Sequence, residues 1–64
     1  MNLYVNDEPQ ALAPDLAALL DRLGLSDAVV ATALNGRFVP SAERASTPLR
    51  AGDRVEVLAP MQGG

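Results

Sequence analysis

Pro14-Asp15-Leu16-Ala17-Ala18-Leu19-Leu20-Asp21-Arg22-Leu23-Gly24 is the stretch that decides how the rest of this chain must be arranged. Asp15 offers a side-chain oxygen to the free amides of a helix start, and proline is tolerated at a helix entrance. Leu16, Leu19, Leu20 and Leu23 fall at i, i+3, i+4 and i+7, so one helix face carries a continuous leucine stripe that must be buried. Asp21 and Arg22 lie on the wetted side. Gly24 supplies the left-handed residue that commonly ends a helix, and Leu25 is expected to fold back on the last turn.

A single amphipathic helix needs a sheet to cover, and the sequence supplies strands on both sides of it. Toward the N-terminus, Leu3-Tyr4-Val5 alternates as a short strand. Asn6-Asp7-Glu8-Pro9 is a cluster of turn formers, and residues 10–13 are expected to return as an edge strand that includes Gln10. Toward the C-terminus, residues 28–34 are rich in small and β-branched types and apolar on both faces, as a covered strand should be. Asn35-Gly36 is a strong hairpin signal, because both central residues of a type I′ turn need positive φ, so residues 37–39 should return antiparallel. Pro40 ends that strand. Residues 41–48 form an irregular connection with one helical turn, whose Glu43 and Arg44 are expected to be solvated, and Leu49 should anchor it to the core. After the Ala51-Gly52-Asp53 turn, residues 54–59 alternate, with Val55 and Val57 on one face and Arg54, Glu56 and Leu58 on the other. Tyr4 and Phe38 are expected to serve as packing residues.

Hairpin, helix, hairpin, connection and strand, in that order, describe an α+β fold of the ubiquitin-like β-grasp type. It has a mixed sheet of about four to five strands with one helix laid across a single face. The domain should occupy residues 1–59, leaving 60–64 as a flexible tail. Pro60 cannot give an amide to a sheet ladder, so the strand should stop before it. Gly63 and Gly64 have no side chains, and can lie extended in a channel too narrow for any other residue. Such a tail is a thin wire ending in a carboxylate.

Composition narrows the possible functions. Sixty-four residues, 48% hydrophobic and 20% charged, make one small folded domain with no room for a deep active site. The chain has neither cysteine nor histidine, which excludes the usual nucleophile and general base as well as a structural zinc site. A net charge of -3 argues against nucleic acid. No apolar run approaches the roughly 20 residues needed to cross a bilayer, and no signal sequence opens the chain, so the expected address is the cytoplasm. All five basic residues are arginine, which leaves no lysine to capture an activated ester. Any chemistry at the tail is therefore expected from another protein, with this chain as its substrate and not as an enzyme.

Three segments carry a family resemblance: Leu34-Asn35-Gly36-Arg37-Phe38-Val39-Pro40, then Leu49-Arg50-Ala51-Gly52-Asp53-Arg54-Val55-Glu56-Val57, and finally Pro60-Met61-Gln62-Gly63-Gly64. At these separations they closely resemble the ThiS family, the sulfur carrier proteins of thiamine biosynthesis. Where many relatives carry an aromatic residue in the connection, this chain has Arg44 and Ala45. The resemblance implies that a ubiquitin-activating-type adenylyltransferase (ThiF-like) uses ATP to convert the Gly64 carboxylate to a glycyl adenylate. A protein persulfide would then convert it to a thiocarboxylate (1-thioglycine), and a thiazole synthase (ThiG-like) would draw off the sulfur. It implies no cofactor or metal bound by the chain itself. Pro60, Met61, Gln62 and Gly63 would thread into the partners' active sites, and Leu58 and Ala59 would give an apolar docking surface beside the exit point. Other readings share the Gly-Gly end: a carrier for molybdopterin synthesis or tRNA thiolation, a ubiquitin-like protein modifier, or a non-covalent β-grasp interaction domain.

Overall fold

The computed structural model describes residues 1–59. Five strands form one sheet in the order β2-β1-β5-β3-β4, where β1 is Asn2–Val5, β2 Glu8–Ala11, β3 Ala31–Leu34, β4 Arg37–Val39 and β5 Arg54–Leu58. The helix α1, Leu16–Arg22, and a 3₁₀ helix, Ser41–Ser46, complete the element list. β1 and β5 run parallel at the centre, with Tyr4 opposite Arg54 and Val5 opposite Val55, and the other pairings are antiparallel. The last strand therefore has neighbours on both sides.

The helix forms as its sequence demands. Asp15 accepts a hydrogen bond from the Ala18 amide at 2.8 Å and so satisfies one of the free donors of the first turn. At the other end Gly24 has φ of 76°, its amide donates to the Asp21 carbonyl, and the Leu25 amide donates to the Leu20 carbonyl at 2.8 Å. This paired closure is a Schellman motif, and it brings Leu25 back onto the last turn. Leu16, Leu19 and Leu20 are buried, while Leu23 is only half-buried and packs against the core margin. Leu3, Ala13, Leu16, Leu19, Val39, Leu49 and Val55 form the core, between the helix and one face of the sheet.

The last strand ends at Leu58, one residue short of the expected Ala59, and two other strand limits depart from the sequence expectation for reasons of pairing. The first hairpin turns on Asn6 and Asp7 alone, at φ of 50° and 71°, residue types that tolerate the left-handed region. Val5 consequently faces Glu8, the returning strand is Glu8–Ala11 instead of 10–13, and Pro9 sits within it opposite Tyr4. Because β2 is the sheet edge, the missing proline amide costs no ladder bond. Ala13, released from the strand, becomes part of the core. β3 begins at Ala31 and not at residue 28, because its partner β5 ends at Leu58, opposite Ala31. Val29, ahead of that limit, is 80% exposed. The Asn35-Gly36 turn closes as expected, with φ of 51° and 85°.

Candidate functional site

β5 sets the geometry of the site, since it is the strand from which the C-terminal segment departs. On its β3 side the register runs from Leu34 opposite Val55 to Ala31 opposite Leu58. On its β1 side the parallel pairing ends at Val55, and the Asn6 side chain takes over. Asn6 Oδ1 accepts from the Val57 amide at 2.9 Å and Asn6 Nδ2 donates to the Val57 carbonyl at 3.1 Å. A side-chain amide has the donor and acceptor of a peptide group, so Asn6, whose backbone amide still donates to the Val55 carbonyl at 2.9 Å, extends the ladder by one further rung through its side chain. Leu58 and Ala59 lie just beyond and are exposed. Pro60, Met61, Gln62, Gly63 and Gly64, the threading and acceptor positions expected from the sequence, lie outside the described residues.

The face of the sheet away from the helix carries more apolar surface than sequence alone suggested. Leu58 is 67% exposed and Phe38 69% exposed, so Phe38 is not the packing residue expected from its type. Its position explains this. Val39 points into the core, so Phe38, one residue earlier, points to the opposite face, where it stands beside Ala33. Tyr4 likewise lies on this open face, under the Arg54 guanidinium at 5.6 Å from the ring centroid. Arg54 also reaches Asp7 at 3.4 Å, an exposed ion pair. The alternation of β4 held the signal for Phe38, but it became legible only once Val39 was known to face inward.

Arg44 also departs from expectation. Its guanidinium is not simply solvated: Nε donates to Thr32 Oγ1 at 3.1 Å and Nη2 to the Val30 carbonyl at 2.7 Å. Thr32, 1% exposed, donates its own hydroxyl to the Val39 carbonyl at 2.8 Å, and among the described residues no buried side-chain nitrogen or oxygen lacks a partner. No sequence spacing marks the contact, because Arg44 reaches a strand 12 residues back across a hairpin and a turn of helix.

Among the described residues there is no cluster of acidic, histidine or cysteine side chains that could hold a metal, and no helix long and apolar enough to cross a membrane. A helix crossing one face of a five-stranded mixed sheet, with the first and last strands parallel at its centre, defines a ubiquitin-like β-grasp domain. The ThiS family model matches residues 2–64. The sulfur carrier protein ThiS of Thermus thermophilus is 40% identical over 63 residues, covering 97% of this chain and 98% of that one. The crystal structure of a thiamine biosynthesis protein (ThiS) from Geobacter metallireducens superposes with a TM-score of 0.82 at 35% identity, over the whole of both chains. A solution structure of a thiamine biosynthesis protein from the same organism gives 0.77 at 32% identity, covering all of this chain and 88% of that one. The chain belongs to the ThiS family.

Proposed function

We propose that this protein is a sulfur carrier for thiamine biosynthesis whose working group is the carboxylate of Gly64. The observation that carries the reading is the family match through residue 64, joined to a β5 that is held to Val57 on its β1 side and to Leu58 on its β3 side. A free carboxylate is a poor electrophile. A ThiF-like adenylyltransferase transfers AMP from ATP to it, releasing pyrophosphate and making an acyl-adenylate. The terminal sulfur of a persulfide on a donor protein attacks the carbonyl carbon and displaces AMP. A thiol then cleaves the resulting acyl disulfide, and the thiocarboxylate remains on Gly64. A ThiG-like thiazole synthase takes the sulfur, and water restores the carboxylate. The chain supplies no catalytic group to these steps and binds no cofactor; it acts in the cytoplasm as the substrate of its partners.

Pro60, Met61, Gln62 and Gly63 carry the reacting end into the partner's channel, the two glycines allowing close approach of protein backbone on all sides. Leu58 and Ala59 dock beside the channel mouth. Phe38 extends that apolar surface on the open face of the sheet. Deleting Gly64, or adding one residue after it, abolishes ATP-dependent pyrophosphate release with the adenylyltransferase while leaving the fold unchanged by circular dichroism. Sulfur transfer at the normal rate by either variant refutes the assignment. In the native host, mass spectrometry of the C-terminal peptide should show a sulfur-for-oxygen mass increase, and co-purification with thiazole synthase separates this role from molybdopterin or tRNA thiolation.

A further inference from the structure

The β5–β3 pair continues to Leu58 opposite Ala31 after the strands that flank it, β1 beside β5 and β4 beside β3, have stopped. β1 stops at Val5 and turns through Asn6 and Asp7. β4 stops at Val39, because Pro40 leads the chain into the 3₁₀ helix. With Thr32 opposite Val39, continued antiparallel register would set Val30 opposite residue 41, whose backbone has already turned away. The Val30 carbonyl is instead met by Arg44 Nη2 at 2.7 Å, so the guanidinium supplies the donor that a longer β4 would have supplied. Asn6 does the equivalent on the other side, holding both backbone groups of Val57. Two side chains from different turns therefore complete the sheet around the last rung, Ala31 opposite Leu58.

We propose that Asn6 and Arg44 are positioning residues of the carrier reaction: together they hold Val57 and Leu58 in the sheet, so that a partner binding the C-terminal glycine does not have to order these residues. This rests on the carrier reading above. Without Arg44 the Val30 carbonyl loses its partner, the start of β3 frays, and the Ala31–Leu58 rung opens. Without the Asn6 amide, Val57 loses its contacts on the β1 side. In either case one or two residues at the end of β5 become free chain, and the cost of ordering them falls on the protein's encounter with its partner. Binding weakens without change to the chemistry at Gly64, so KM rises and kcat does not.

The test uses full-length Arg44→Met, which keeps the apolar stem and removes the donors, and Asn6→Gly, which keeps the positive φ and removes the amide. Leu3→Val, a core change at the far end of β1, is the stability control. Amide exchange should accelerate roughly tenfold at Ala31 and Leu58 in Arg44→Met, and at Val57 in Asn6→Gly. With the adenylyltransferase and ATP, read as pyrophosphate release at a temperature where all variants are folded, KM for each should rise roughly tenfold with kcat within about twofold. The control should lose stability with KM unchanged. Arg44→Lys, which keeps one donor, should recover part of the KM loss. Unchanged exchange at the named amides, or an unchanged KM where the wild type is adenylated, overturns the inference. A wild type that is never adenylated overturns the carrier reading itself, and the role of the two residues in it.

Discussion

Replacing Thr32 with valine should destabilise this protein even though valine is the more apolar residue at a site 1% exposed. Among the described residues the hydroxyl is the one acceptor that the Arg44 Nε–H meets, at 3.1 Å, and it also donates to the Val39 carbonyl at 2.8 Å. Val39 still faces Thr32 across the β3–β4 ladder, so its carbonyl keeps a backbone rung. The Arg44 Nε–H loses the acceptor it has among the described residues. A half-buried charged donor left unmatched costs about 1–3 kcal/mol, more than the added methyl group returns. A chain of this length has only about 3–10 kcal/mol in total, so Thr32→Val should lower Tm by on the order of 5–15 °C. Combining it with Arg44→Met removes the stranded donor along with its acceptor. The double variant should therefore be more stable than the sum of the two losses by about 1 kcal/mol. Urea titration of all four proteins, with a common m-value, measures this directly. A Thr32→Val protein as stable as wild type, or losses that simply add, would refute the view that this cluster is energetically coupled.

Asp15→Ala removes the cap on the Ala18 amide and should cost about 1 kcal/mol, seen as a Tm lower by several degrees, because a helix of seven residues cannot spare a first-turn partner. Gly36→Ala should cost about 1 kcal/mol by denaturant titration; the loss is wholly conformational, since nothing lies within 4 Å of an added Cβ while φ is 85°. Phe38→Ser and Leu58→Ser should leave stability within about 0.5 kcal/mol of wild type, both side chains being about two-thirds exposed, yet weaken binding to the adenylyltransferase by calorimetry. Equal affinity in both would remove the open face of the sheet from the docking surface.

Local pattern was enough for the elements themselves. Leucines at helical spacing, an aspartate before them and a glycine after them define α1 within a dozen residues, and Asn35-Gly36 defines its turn because few other pairs accept two positive φ values. Alternation in β5 correctly assigned Val55 and Val57 to one face and Leu58 to the other. The first hairpin was harder, since a run of four turn formers does not say which two of them make the turn, and the pairing of β1 with β2 settled that. Residues 28–34 have strand propensity throughout while β3 covers only Ala31–Leu34, for a related reason: propensity belongs to residues, but strand length belongs to the partner, and β5 ends opposite Ala31.

The helix, the Asn35-Gly36 turn, the inward-facing row of β5 and the family resemblance can all be traced in the chain alone, because each rests on residues near one another or on a motif with fixed spacing. Tertiary structure alone decided that Phe38 faces outward, that Arg44 meets Thr32 and Val30, and that Asn6 holds Val57 across 51 positions. Those contacts join groups whose approach depends on where two strands stop, and periodicity along the chain carries no record of distance across the sheet.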